Sequence, residues 1–218
     1  MMSWRPHGCE TIRLAESGEE MTDSTGELHI QSLAPAMARR SAVPERVAEL
    51  INGVYAVAED GMWNHGATRT SAAEITELAE ADQIFVAQPE DRIVGCVRVV
   101  QLADRVAEFG MLAADPQWRG VGIGRALVQF AENHAADTGH HIMTLEVIQP
   151  RDFSLPSKEL LTRLYTRMGY RVVRIDAPDD VHPALTPLLK VPCEVVTYRR
   201  NLRARPAGHC QLEVAWTI

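Results

Sequence analysis

The sequence predicts an α/β domain with a mixed central sheet flanked by helices, and three observations carry that reading. Periodic segments follow one another as strand, two helices, three antiparallel strands, helix, strand, helix, strand, strand, an order that needs helices on the faces of a mixed sheet. Residues 142–148 are apolar on both faces apart from Thr144 and Glu146, as expected for a central strand covered on each side. A glycine-rich turn joins the third antiparallel strand to a helix.

Taken in order, residues 1–27 lack periodicity and are rich in Glu, Ser, Thr and Gly. Such a stretch cannot bury enough apolar surface to offset the entropy of ordering, so a flexible leader is expected. Met21, followed by Thr22-Asp23-Ser24, is a candidate internal start. Residues 28–33 alternate like a short strand. Val47, Leu50, Ile51, Val54, Val57 and Ala58 recur at helical spacing behind Pro44, which suits a first turn. Ser71-Ala72-Ala73-Glu74 fits a capping box before a helix over 72–81. Residues 84–87 and 93–102 are β-branched runs separated by Pro89-Glu90-Asp91, a hairpin turn. A strand over 106–113 stops at Asp115-Pro116. Ile123, Ala126, Leu127, Phe130 and Ala131 trace one helical face until Gly139. Leu160, Leu161, Leu164, Tyr165 and Met168 form another, closed by Gly169. Strands over 170–175 and 194–198 flank the Pro-rich link 178–192, and residues 203–218 read as a tail.

The 218 residues are 46% hydrophobic and 23% charged, enough for one good core. A net charge of −7 argues against a nucleic-acid-coating surface and mildly favours a cationic or amine-bearing substrate. Cys9, Cys96, Cys193 and Cys210 show no CxxC pairing, so neither a zinc site nor a disulfide framework is expected and reduced thiols are the plain reading. No run reaches membrane-spanning length, and the first twenty residues carry no apolar signal core. A cytoplasmic protein without metal, nucleic-acid or membrane partners is the expectation, and a homodimer is compatible with it. His134, His140 and His141 lack a ligand set and are expected at the surface.

The chemistry concentrates in Gln117-Trp118-Arg119-Gly120-Val121-Gly122-Ile123-Gly124. Glycines at alternate positions clear Cβ atoms from the approach path and let backbone N–H groups converge on one anion, where the helix start adds its dipole. A P-loop would need Lys and then Ser or Thr after the last glycine, but Arg125-Ala126 follows. A dinucleotide fingerprint needs G-x-G-x-x-G, whereas these glycines run G-x-G-x-G.

The stretch instead fits Gln/Arg-x-x-Gly-x-Gly/Ala, and with it the chain resembles the GNAT superfamily of N-acetyltransferases. Residues 107–116 resemble that family's fourth strand leading into the loop. Leu164-Tyr165-Thr166-Arg167-Met168-Gly169-Tyr170 resembles its aromatic-x-x-x-Gly-aromatic helix ending. The resemblance covers residues 28–202 and implies a GNAT fold, with a splay between the fourth and fifth family strands that receives acetyl-CoA. It implies pantetheine contacts near Leu112, Ala113 and Ala114. The pyrophosphate is expected on the amides of Arg119, Gly120, Val121, Gly122, Ile123, Gly124 and Arg125, with charge from Arg119 and Arg125 as an addition.

An ammonium acceptor must lose a proton before it attacks the thioester. Glu108 falls where many family members place a glutamate base; the alternative is a strand carboxylate paired with an arginine such as Arg98. Glu146 is the second candidate, as base or as a substrate-orienting group. Tyr165 matches the family tyrosine that protonates the leaving thiolate; the alternative is a core aromatic. Where many relatives carry an asparagine, this chain has Lys158, whose ammonium would reach a phosphate or an acidic substrate, or face solvent. Trp63 ranks first among acceptor-side candidates, ahead of Glu59, Asp60, His65 and Arg69. The implied function is direct acetyl transfer from acetyl-CoA to a primary amine in a ternary complex, with a small-molecule acceptor favoured. A peptide or protein N-acetyltransferase and a non-catalytic acyl-CoA-binding regulatory module are the alternatives.

Overall fold

In the computed structural model, residues 10–13, 27–39 and 42–202 are described. Eight strands form one sheet: β1 (Glu10–Arg13), β2 (Glu27–Ser32), β3 (Ile84–Pro89), β4 (Gly95–Ala103), β5 (Val106–Ala114), β6 (Ile142–Pro150), β7 (Arg171–Asp176) and β8 (Cys193–Asn201). Six helices accompany them: α1 (Pro35–Ala38), α2 (Ala42–Ala58), α3 (Ala72–Glu80), α4 (Ile123–Asp137), α5 (Pro156–Arg167) and α6 (Pro178–Val181). The strand order is β1-β2-β3-β4-β5-β6-β8-β7, antiparallel throughout except for the parallel β5–β6 pair.

Local chemistry sets the element ends. The Ser71 hydroxyl accepts the Glu74 amide at 3.2 Å, which caps α3. The Glu74 carboxylate does not complete the box but accepts from the Thr70 hydroxyl at 2.9 Å. α2 buries Val47, Ala48 and Ile51, while Val57 is 79% exposed. Val57 therefore falls off the expected stripe, and Tyr55 packs inward in its place.

The sheet divides the core. One face packs Ile84, Val86 and Cys96 against Val47 and Ile51 of α2 and Ile75 of α3. The other packs Phe85, Val97, Phe109, Met143 and Leu145 against Leu127 and Phe130 of α4 and Tyr165 of α5. A third cluster of Met62, Ile148, Cys193 and Val195 gathers Trp63, Val181, Leu185 and Leu189. It ties the loop after α2 to the link before β8, where Asn64 N–H donates to Leu188 O and Lys190 N–H to Met62 O, both at 2.8 Å.

Two irregularities prepare the site. β5 and β6 pair only at Val106–Ile142, Ala107–Met143 and Glu108–Thr144. Beyond that point β5 continues along β4 to Ala114, and β6 along β8 to Pro150, so a gap opens between the two parallel strands. Within β5, the register shift between Cys96–Ala113 and Arg98–Gly110 sets two residues, Met111 and Leu112, opposite Val97. Met111 sits at φ 47°, the mark of a bulge that re-aims the strand beside the gap.

Glu10–Arg13 corrects the expectation for the first 27 residues at four positions, because it pairs with β2 as an edge strand. Glu27, the last residue of that stretch, begins β2; the rest of it, Met21 included, and the tail 203–218 lie outside the described residues. Two histidines also depart from expectation. His140 is 9% exposed, its Nδ1 lying 3.0 Å from the Thr138 hydroxyl and 3.2 Å from Ala135 O. The His134 ring lies 4.7 Å from Phe85 and 6.0 Å from Phe130, and burial pushes its pKa down; His141 is exposed. Among the described residues no helix is long and apolar enough to cross a membrane.

Candidate active site

The glycine turn is held from both ends. Asp115 accepts the Gln117 amide at 2.9 Å and pairs with Arg92 at 3.0 Å, and Arg92 also donates to the Gln117 side chain at 2.8 Å. Trp118 and Val121 pack on the main core. Between these anchors Gly120 (φ 91°) and Gly122 (φ 86°) adopt left-handed conformations that side chains resist. Gly122 is the N-cap of α4, whose first backbone bond runs from Ala126 N–H to Gly122 O at 2.9 Å. The amides of Ile123 and Gly124 precede that ladder and are left for an external acceptor. A Cβ built on Gly120, Gly122 or Gly124 would meet nothing within 4 Å, so open space faces all three.

This turn does not pack the helix on the sheet. That role belongs to Gly95 in β4, where a Cβ would lie 2.9 Å from both Ile123 Cγ2 and Leu127 Cδ1. The loop glycines are thus spare for packing and suited to a ligand. Leu112, Ala113 and Ala114 run from the bulge into this turn along the side of β5 that β6 has left.

Glu108 stands at the last paired position before the gap. Among the described residues it has no hydrogen-bond or ion-pair partner, since Arg98 donates instead to the Gln83 side chain at 3.1 and 3.3 Å. Burial first, and then the like charge of Glu146, raise its pKa above the ordinary carboxylate value, while Arg98 and His182 oppose the shift. Such a carboxyl is free to take a proton and is tuned toward neutral pH.

Glu146, on β6 beyond the pairing, is committed. Its carboxylate lies 2.6 Å from His182 Nε2, 3.4 Å from the Thr197 hydroxyl and 3.7 Å from Arg174 Nη2. His182 escaped the sequence reading because it lies in the Pro-rich link, 36 residues from its partner. No local spacing announces such a pair.

The Tyr165 ring is 3% exposed and lies 5.9 Å from Phe109, Tyr170 and Tyr198. Its hydroxyl has no hydrogen-bond partner among the described residues, yet it is not one of their fully buried unsatisfied atoms. A packed ring therefore carries an unbonded hydroxyl that is not completely sealed from solvent. Burial, then Tyr55 and Tyr198, keep the phenol well above its usual pKa and so protonated, ready to donate.

Trp63 is half-buried, its indole N–H donating to Glu59 at 2.7 Å. Glu59 is 3% exposed and pairs with Lys158 at 2.5 Å, which corrects the expectation for both residues. Lys158 reaches neither phosphate nor solvent, and Glu59 is a buried counter-ion rather than an acceptor contact. The Arg69 guanidinium sits 5.0 Å above the Trp63 ring and 4.8 Å above that of Tyr55; Asp60 and His65 are exposed. Burial raises the Tyr55 phenol to about 12, against the opposing pull of Arg69. A separate groove of about 430 Å³ runs between Gln149–Pro150 and the Lys158, Thr162 and Arg163 side of α5. It contains neither Glu108 nor the glycine turn. No group of three or more His, Cys, Asp or Glu able to hold a metal occurs among the described residues.

An open helix start suited to an anion and an unpaired carboxyl thus stand at the two ends of the stretch of β5 that β6 has left. Residues 80–172 match the acetyltransferase (GNAT) domain family. No curated protein matches the sequence. An aminoglycoside 6′-N-acetyltransferase complexed with coenzyme A superposes with a TM-score of 0.58 at 16% identity, over 77% of this chain and 95% of that one. The Salmonella typhimurium protein yncA, solved with acetyl-CoA, gives 0.56 at 18% identity over 84% and 99%. The ribosomal-protein-S18-alanine N-acetyltransferase of Escherichia coli gives 0.52 at 15% identity over 85% and 99%. These likenesses establish the GNAT fold. The matched stretch holds the glycine turn, Glu108, Glu146 and Tyr165, whereas Trp63 and His182 lie outside it.

Proposed function

We propose that the protein is an acetyl-CoA-dependent N-acetyltransferase in which a primary amine attacks the thioester directly, within a ternary complex. The observation that carries this is the unpaired, pKa-raised Glu108 at the point where β5 and β6 part, in line with an open glycine turn. The turn from Arg119 to Arg125 binds the pyrophosphate through backbone amides, and the pantetheine arm runs beside Leu112, Ala113 and Ala114. Glu108 takes the proton of the acceptor ammonium. Tyr165 protonates the departing sulfur, and Glu146 with Trp63 bounds the acceptor space.

A small-molecule acceptor is favoured over a peptide, because backbone bonds between Met62–Asn64 and Leu188–Lys190 close the loop after α2 against the link before β8 and leave no separation there for an extended chain. A purely regulatory acyl-CoA module would need neither an unpaired base nor an unbonded tyrosine hydroxyl. The test is thiol release from acetyl-CoA over a panel of primary amines, with Glu108→Gln alongside. Turnover that falls by roughly 10²–10⁴-fold in the variant fits the base role. Tight acetyl-CoA binding without turnover on any amine would defeat the transferase reading.

A further inference from the structure

Acetylation of an ammonium releases a net proton. The first proton leaves as R–NH₃⁺ becomes R–NH₂; the N–C bond then forms, the C–S bond breaks, and the second N–H proton is balanced by the one that ends on sulfur. The first must reach solvent before Glu108 can act again. Glu108 is partly buried and its carboxyl has no hydrogen-bond or ion-pair partner among the described residues, so the route out is a structural question.

We infer that His182 is the proton outlet of this site, holding Glu146 in place and carrying to solvent the proton gathered at the Glu108–Glu146 pair. The inference rests on the transferase reading above. Its basis is geometric: His182 Nε2 lies 2.6 Å from Glu146 Oε2, and the His182 side chain is 37% exposed while that of Glu146 is 19% exposed. The imidazole therefore touches the carboxylate through Nε2 while more than a third of its side chain is open to water, and a ring with two nitrogens can take a proton at one and release it from the other.

The other groups around the pair do not serve. Arg98 on β4 and Arg174 on β7 offer only N–H donors and no acceptor for a proton. Arg174 is also bound to Asp176 at 2.5 Å, and the Thr197 hydroxyl on β8 is a distant donor at 3.4 Å. Asp179 and Asp180 on α6 are exposed, and neither has a bond to Glu146 or His182. His182 is also firmly placed. Its amide donates to Pro178 O at 2.7 Å, its carbonyl accepts from Leu185 N–H at 2.9 Å, and neighbouring Val181 and Leu185 pack in the third cluster.

The experiment compares His182→Gln, whose amide can still donate to Glu146 but cannot relay a proton, with His182→Ala. Steady-state rates are measured from pH 6 to 9 with saturating acetyl-CoA and the best amine of the panel, in dilute non-imidazole buffer and again with added imidazole. The expected result is a kcat loss of roughly 10²-fold in both variants, an unchanged KM for the amine, and recovery of kcat as imidazole rises. Three results overturn the inference: wild-type kcat in both variants, a loss confined to KM, or a kcat loss that imidazole does not relieve. Wild-type protein that binds acetyl-CoA but turns over no amine would instead defeat the transferase reading itself, so the two failures are distinguishable.

Discussion

Gly124→Ala and Gly95→Ala should move stability and cofactor binding in opposite senses. Gly124 lies in the first turn of α4, outside the left-handed region, and a Cβ there would touch no protein atom within 4 Å. A helical Gly→Ala replacement free of strain stabilises by up to about 1 kcal/mol, which in a protein of this size raises Tm by about 2–4 °C. The same methyl enters the space kept open for the pyrophosphate. Displacing the anion from one backbone amide forfeits a charge-assisted hydrogen bond of about 1.5–3 kcal/mol, or roughly 10–150-fold in acetyl-CoA affinity. Gly95→Ala lowers stability instead. Its Cβ would lie 2.9 Å from two side chains of α4 and 3.1 Å from Ala113 O, a backbone atom that cannot swing aside. Overpacking of this kind costs about 1–3 kcal/mol. Thermal melts of the unliganded variants, with calorimetric titration of acetyl-CoA, read both quantities. Wild-type affinity in Gly124→Ala would refute the anion cradle, and a lowered Tm there would show that the turn packs the helix after all.

Three further outcomes are expected. Activity should rise with pH as Glu108 loses its proton, along an acid limb above the ordinary carboxylate range. Glu146→Gln removes a like charge and moves that limb to lower pH, and Arg98→Gln moves it higher; a kcat/KM profile unmoved by both changes would remove Glu108 as base. Tyr165→Phe deletes a hydroxyl without a partner, so denaturant midpoints should stay near wild type while kcat drops by roughly 10²-fold; an unchanged rate with lost stability would make the residue a packing element. Arg200→Ala strips the 2.6 and 2.8 Å contacts from Glu132, a residue 4% exposed, and should cost about 3–5 kcal/mol at pH 8. Burial already raises the Glu132 pKa, and losing Arg200 raises it further. A folded-state pKa raised above the unfolded one gives stability that is present at low pH and lost as pH rises through it, so the deficit should shrink toward pH 5 in urea titrations.

Legibility followed contact range. The α3 cap, the stop of α4 at Gly139 and the glycine turn rest on bonds between near neighbours, and each stood in the sequence. The Val57 error arose from accepting every apolar residue near a 3.6 repeat, although Tyr55 lay closer to the buried stripe. Pairings between distant segments were not readable. Lys158 meets Glu59 across 99 positions, and β8 inserts between β6 and β7, leaving β7 as an edge with Val172, Val173 and Ile175 about half exposed. Glu10–Arg13 has too little apolar content to register as a strand by itself. It forms by completing a ladder that β2 already offers.

The same distinction runs through the site. Its cofactor side is made of backbone: amides at a helix start, a bulge at Met111 and two strands that part after Glu108. Backbone groups recognise what is common to every acyl-CoA, and the glycines that permit them are visible in a short motif. The acceptor side proposed above is made of side chains instead, from the loop after α2, β6 and the link before β8, with Trp63 bonded to Glu59 and Glu146 to His182. Specificity for one amine must come from that half, because the first half is indifferent to the acceptor. Substitutions at Trp63 should therefore reorder preferences across the amine panel while leaving acetyl-CoA affinity unchanged, and parallel losses of both would show that the two halves are not separable.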